Sequence, residues 1–185
     1  MHGVVMTGLR AFVIQEQSRA KWDQVKETAG IDGDNYTRME DYPDEEFLGI
    51  YKVLLDDSGA SDAELQQQFG QFLFGEMADM YGRIYFDDEW GALDMVDNVE
   101  ETIHQSLKLR DDSGFTPPEL ETERLDEGGI VVLYGSDRHL CEFGKGLIQG
   151  VGNYYETTLE IDEPQCMKTG DDHCRIEVRQ AEDRK

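Results

Sequence analysis

The apolar positions of this chain keep a helical period over the first two thirds and alternate like strands afterwards. Segment 3–18 predicts a first helix, and "AKWDQVKETAG" predicts a second that ends at Gly30. "YPDEEFLGIYKVLLDDSG" starts a third at Pro43, sets Phe47, Leu48, Tyr51, Leu54 and Leu55 on one side, and stops at Gly59. "SDAELQQQFGQFLFGEMADMYG" opens with a capping box, Ser61 and Glu64, and stops at Gly82. A further helix is expected over 88–109. Pro117-Pro118 then closes off helix continuation. Beyond it, "LETERLDEGGIVVLYGSDR" reads as two strands joined at Glu127-Gly128-Gly129, a hairpin. A helix over 139–155 follows, with Leu140, Phe143, Leu147, Ile148 and Val151 at helical spacing. "TTLEIDEPQCMKTGDDHCRIEV" supplies two more short strands around a turn-rich loop. The class is α+β, a helical N-terminal part packed on a C-terminal part with a small antiparallel sheet and helices. There is no internal repeat and no low-complexity linker.

Composition narrows what such a chain can do. The 185 residues suffice for one domain with a substantial core, and 8 Phe, 8 Tyr and 2 Trp supply large apolar side chains for it. Forty-one acidic residues against 17 basic ones give a formal net charge of −24. That field repels nucleic acid and anionic membrane surfaces, both of which are bound through Lys and Arg. No apolar run approaches the roughly 20 residues of a membrane helix. The N-terminal stretch is interrupted by Arg10 and lacks a basic start, so it reads as an amphipathic helix and not a secretion signal. A cytoplasmic protein is expected. Three cysteines, Cys141, Cys166 and Cys174, cannot close into disulfides as a set, which points to free thiols or metal ligands.

Three groups of residues carry candidate chemistry. In "LYGSDR", Tyr134, Ser136 and Arg138 occupy alternate positions. An extended strand would point all three to one face, where two hydroxyls and a guanidinium suit carboxylates or phosphates. The same pattern also fits a strand with a solvated polar face. His104 falls on the stripe of Leu93, Val96, Glu100 and Leu107, as a core histidine or as an imidazole facing a cavity, the form that ligates haem iron. Cys141, Cys166, His173 and Cys174 offer three thiols and one imidazole, enough for a tetrahedral zinc site. Three buried free cysteines account equally well for the thiols. No nucleophile–base pair stands out.

Read in order, "MHGVV", "DYPDEE", "DNVEETIH", "TPPEL", "LYGSDR" and "GLIQGVGNYYE" resemble the haem nitric-oxide/oxygen-binding (H-NOX) family over residues 1–179, leaving 180–185 as a short polar tail. The Tyr-x-Ser-x-Arg motif is met in full. The resemblance implies haem b buried between the two parts, with its propionates held by Tyr134, Ser136 and Arg138. It implies His104 as the proximal iron ligand and Pro118 pressing on the porphyrin. It places Phe143, five residues after Arg138, where dioxygen-binding relatives carry a tyrosine, with Val5, Leu73 and Leu147 as apolar neighbours on the same distal side. A pocket without a hydrogen-bond donor is expected to take nitric oxide and carbon monoxide and to exclude dioxygen. Some relatives, and the related 4-vinyl reductase domains, associate a similar tail with zinc or thiol redox chemistry.

The function expected from this is a non-enzymatic nitric oxide sensor. It would report to a separate signalling enzyme, a histidine kinase or a cyclic-di-GMP enzyme, with a zinc/thiol redox input. A haem-free zinc or small-molecule module of the 4-vinyl reductase type is the alternative. A third reading is an acidic docking protein whose surface charge is its function.

Overall fold

The computed structural model describes residues 1–33, 35–99, 116–126 and 128–181. Among them are six α-helices and one antiparallel sheet of four strands, the strands all lying after residue 116, where the period changes. The chain divides into two compact units. One is Met1–Leu65 with Asp112–Thr116, and the other is Gln66–Asp111 with Pro117–Lys185.

The first unit holds α1 (Gly3–Glu16), α2 (Arg19–Ala29), α3 (Asp44–Ser58) and the first turn of α4 (Asp62–Tyr85). The first helix stops at Glu16, short of the predicted 18, because Ser18 is extended and its side chain accepts from the Lys21 N–H to cap α2. Gly30 and Gly59 end α2 and α3 in the left-handed region, φ 71° and 69°, as expected of helix-ending glycines. The buried stripe of α3 is Phe47, Ile50, Tyr51 and Leu54. Leu48, expected there, is exposed, and Ile50 sits between Phe47 and Leu54 on the inward face instead. With Met6, Leu9, Val13, Trp22 and Val25 these residues form the core of this unit. The capping box is present: Ser61 N–H donates to Glu64 at 2.9 Å, and Glu64 N–H donates to the Ser61 Oγ at 3.3 Å.

In the second unit α4 runs past Gly82 to Tyr85. A mid-helix glycine costs only about 1 kcal/mol, and Phe86 and Tyr154 pack over this one. The fifth helix, α5 (Ala92–Val99), starts later than 88 because Asp87–Trp90 form a turn and Asp94 caps the Gly91 N–H at 2.8 Å. Residues 100–109 of the predicted helix lie outside the described residues. The hairpin is β1 (Glu119–Leu125) with β2 (Gly129–Gly135), and the terminal pair is β3 (Leu159–Gln165) with β4 (Cys174–Gln180). Between them stands α6 (Cys141–Tyr154). The strands are ordered β1-β2-β4-β3, all antiparallel, so β2 and β4 are central and β1 and β3 are the edges. Ile130, Val132, Ile176 and Val178 of the central strands share one core with Met95, Val96, Ile148 and Val151 of α5 and α6. On the first edge Arg124 clamps α5, donating to Asp94 at 2.7 Å and Asp97 at 2.8 Å.

Glycines bring α4 and α6 together. A Cβ at Gly146 would stand 2.4 Å from the Gln67 carbonyl oxygen, and one at Gly70 would stand 2.4 Å from that of Phe143. Neither backbone can give way, so only glycine permits this approach.

Candidate functional site

The donor triplet is built by the end of a strand and the turn after it. β2 stops at Gly135, so Ser136 and Arg138 are not on a strand face, and alternate-residue geometry does not align them. The turn itself brings them together. Ser136 Oγ accepts the Arg138 N–H at 3.3 Å, and the His139 N–H closes back onto the Ser136 carbonyl at 3.1 Å. His139 takes a left-handed φ of 51° there, turning the chain into α6. Tyr134 is 7% exposed and directly opposite Cys174 in the β2–β4 register. Burial pushes its phenol up to about 12, offset in part by hydrogen bonds with the Ser136 side chain and the Leu140 backbone. Ser136 and Arg138 are half-buried beside it. Two hydroxyls that bond each other, followed two residues on by an arginine whose backbone closes the turn, are residue types suited to carboxylates.

After this turn, α6 packs apolar side chains against α4 and the core. Phe143 stacks on Phe69 with ring centroids 5.1 Å apart, Leu73 is 2% exposed, and Leu147 packs against the core. Tyr85 is exposed and meets Tyr81 edge-on at the end of α4. Val5 lies on α1 in the first unit. Pro118 is half-buried immediately before β1. His104 lies outside the described residues; α5 ends at Val99, five positions before it. Donors suited to carboxylates, followed on α6 by the apolar Phe143 and Leu147, are the residue types that a porphyrin with two propionates requires.

A second centre lies on the other side of Tyr134. The sulfurs of Cys141, Cys166 and Cys174 and a carboxylate oxygen of Glu163 all lie within 4.8 Å of one another. Cys166 Sγ is 3.8 Å from Cys141 Sγ and 3.8 Å from Cys174 Sγ. Cys141 opens α6, Cys174 opens β4, and both are buried, while Cys166 in the intervening loop is half-exposed. His173, the expected imidazole, is exposed and stands outside this group. It lies in the bend before β4, with its side chain in solvent while Cys174 is buried. Glu163 takes that place. The sequence held one signal for it: on β3, Leu159, Ile161 and Glu163 are the less exposed, alternating positions, so a carboxylate ends an inward row. Burial pushes the Cys141 thiol up to about 11, helped by the Glu163 charge, and pushes Cys174 up as well. Lys145 on α6 binds Glu163 at 2.9 Å and Glu142 at 2.6 Å.

A family model described as haem-NO-binding matches residues 2–163. The fold is similar to that of an H-NOX protein from S. oneidensis in the Fe(II)NO ligation state, with a TM-score of 0.89, 23% identity, and 98% of this chain and 99% of that one covered. It is similar to an Fe(II) unliganded H-NOX protein from K. algicida, with a TM-score of 0.83 and 19% identity over 100% and 99% of the chains. A mutant of the H-NOX protein from T. tengcongensis matches with a TM-score of 0.84 and 19% identity over 97% of each chain. No curated protein matches the chain.

Proposed function

The chain belongs to the haem-NO-binding family of haem-based gas sensors, which are not catalysts, and from that premise we propose that it senses nitric oxide and regulates a separate signalling enzyme. The observation that supports this reading is the polar turn of Tyr134, Ser136 and Arg138 leading into a helix whose Phe143 packs on Phe69 and presents no donor of its own. When bound, haem b would supply a ferrous iron able to take a diatomic gas. Tyr134, Ser136 and Arg138 hold the propionates, and the charge of Arg138 with its two-point geometry makes it the strongest of the three. His104 would supply the imidazole that holds the iron, and Pro118 would stand beside the ring. Phe143, Leu73 and Leu147 would supply the apolar distal side chains that the family resemblance assigns to these positions. Dioxygen on ferrous iron needs a donor for the negative charge that it gathers, whereas nitric oxide and carbon monoxide do not. The partner is a histidine kinase or a cyclic-di-GMP enzyme, and the setting is cytoplasmic. Gas binding biases a two-state element that this partner reads.

A second input is favoured by the thiol cluster. Cys141, Cys166 and Cys174 hold one zinc ion in the reduced protein. Hydrogen peroxide would take two electrons from two of the thiolates and two protons from solvent to become two waters, the two sulfurs would join in a disulfide, and the zinc would be released. A haem-free zinc module of the 4-vinyl reductase type uses the same cluster, and colour separates the readings.

Purified protein is expected to be red with a strong Soret band. After reduction it should change its spectrum with nitric oxide and with carbon monoxide, and on admission of air keep a five-coordinate ferrous spectrum or oxidise slowly. A long-lived ferrous–dioxygen spectrum would overturn the gas assignment. A colourless protein that holds zinc after haem supplementation would favour the vinyl reductase type.

A further inference from the structure

We infer that Glu163 is the fourth ligand of the zinc site, through Oε1, while Lys145 holds Oε2 from outside. This rests on the zinc reading above and adds what that reading lacks, a complete ligand set.

Three observations converge on the carboxylate. The first is sulfur spacing. Zinc–thiolate bonds of about 2.3 Å at tetrahedral angles place sulfurs about 3.8 Å apart. Cys166 already stands 3.8 Å from each of the other two sulfurs. Two of the sulfur separations therefore match edges of a zinc tetrahedron with sulfurs at its corners, and among the described residues Glu163 is the carboxylate within 4.8 Å of all three.

The second observation is a buried oxygen that no N–H or O–H donor serves. Glu163 Oε1 is buried, and its carboxylate faces the Cys174 thiol as a hydrogen-bond partner, a proton that metal binding would displace, while Oε2 is held by Lys145 at 2.9 Å. A buried carboxylate oxygen with an empty lone pair is costly, and such groups are ordinarily satisfied by a proton donor, a water or an ion. A cation between Oε1 and three sulfurs satisfies it.

The third observation is support around the ligand. The β3–β4 register shifts between Asp162 and Gln165, and this irregularity sets the stretch that carries Glu163. Lys145, 13% exposed, anchors the carboxylate to α6, the helix that Cys141 opens. Outer partners of this kind fix the orientation of a metal ligand. Charge agrees. Three thiolates and a carboxylate carry −4 against +2 from zinc, and the Lys145 ammonium lies beside the excess.

The test uses full-length protein, reduced, stripped of metal by a chelator and titrated with zinc against a chromophoric chelator, and separately with cobalt(II). The wild type is expected to take one metal per chain. Glu163→Gln should weaken zinc binding at least tenfold, and His173→Ala should leave it unchanged. Glu163→His offers nitrogen in place of oxygen, so it should restore binding and move the cobalt d–d bands. Lys145→Met should weaken zinc severalfold with the bands retained, and it keeps the question open to test should Glu163→Gln fail to fold. Wild-type affinity in Glu163→Gln, cobalt bands unmoved in Glu163→His, or loss of zinc in His173→Ala would overturn the assignment of Glu163. A reduced wild type that binds no zinc would overturn the zinc reading itself, a different result from any of these.

Discussion

Tyr134 stands where the polar turn and the thiol cluster meet, since its hydroxyl bonds Ser136 and its backbone lies opposite Cys174. Burial raises its phenol from an ordinary value near 10 to about 12, and it raises the thiols of Cys141 and Cys174 too. A raised acid keeps its proton in the folded state after the unfolded chain has lost it, so its stabilising contribution is whole below the unfolded value and lost as pH rises through the folded one. Denaturant midpoints of the reduced, metal-free protein should therefore fall between about pH 9 and about pH 12. Tyr134→Phe should remove the upper part of that fall, at most about 2–3 kcal/mol for a shift of this size. A mutant as alkali-sensitive as the wild type would take Tyr134 out of the explanation. At this scale the sequence was readable by residue type but not by geometry. Tyr134, Ser136 and Arg138 could be picked out as a set, yet the strand ends at Gly135 and a turn assembles them. Cysteine and histidine attract attention as ligands, so His173 was expected and Glu163 overlooked among 41 acidic residues. Only its inward place in the alternation of β3 distinguishes it.

Among the elements, the α4–α6 pair decides how closely two helices can approach. Gly146→Ala would drive a methyl against the Gln67 backbone, and overpacking of this kind costs about 1–3 kcal/mol or more. Gly75→Ala lies in the same α4, exposed, with no atom within 4 Å of the added carbon among the described residues. It should be neutral or stabilise by up to about 1 kcal/mol, as alanine does in helices. Thermal unfolding of the two variants should separate them clearly, and equal melting temperatures would mean that the contact is loose. Helices were legible in the sequence where a cap or a glycine marked an end, as at Ser61 with Glu64 and at Gly30. They were misjudged where packing overrode a local signal, as at Gly82. Both strand pairs joined by a turn were legible. The pairing of β2 with β4 was not, because 38 residues separate their ends and nothing local encodes it.

For the molecule as a whole the dominant quantity is a net charge of −24. Self-repulsion at this level opposes the compact state and is screened by salt, over about 30 Å in dilute buffer and about 3 Å at 1 M. The melting temperature should rise by several degrees between about 0.01 and about 1 M sodium chloride. A flat or falling response would mean that ion pairs such as Arg124 with Asp94 and Asp97 outweigh the repulsion. Charge also governs what the sheet can do to its neighbours. Its edges are β1, "ELETERL", and β3, "LEIDEPQ", whose outward positions include Glu119, Glu121, Glu123, Glu160, Asp162 and Pro164. A second chain adding a strand there would lay like charge on like charge along β1 and meet a missing N–H on β3. The order β1-β2-β4-β3 thus guards against aggregation by placing the apolar strands inside and the repelling ones at both rims.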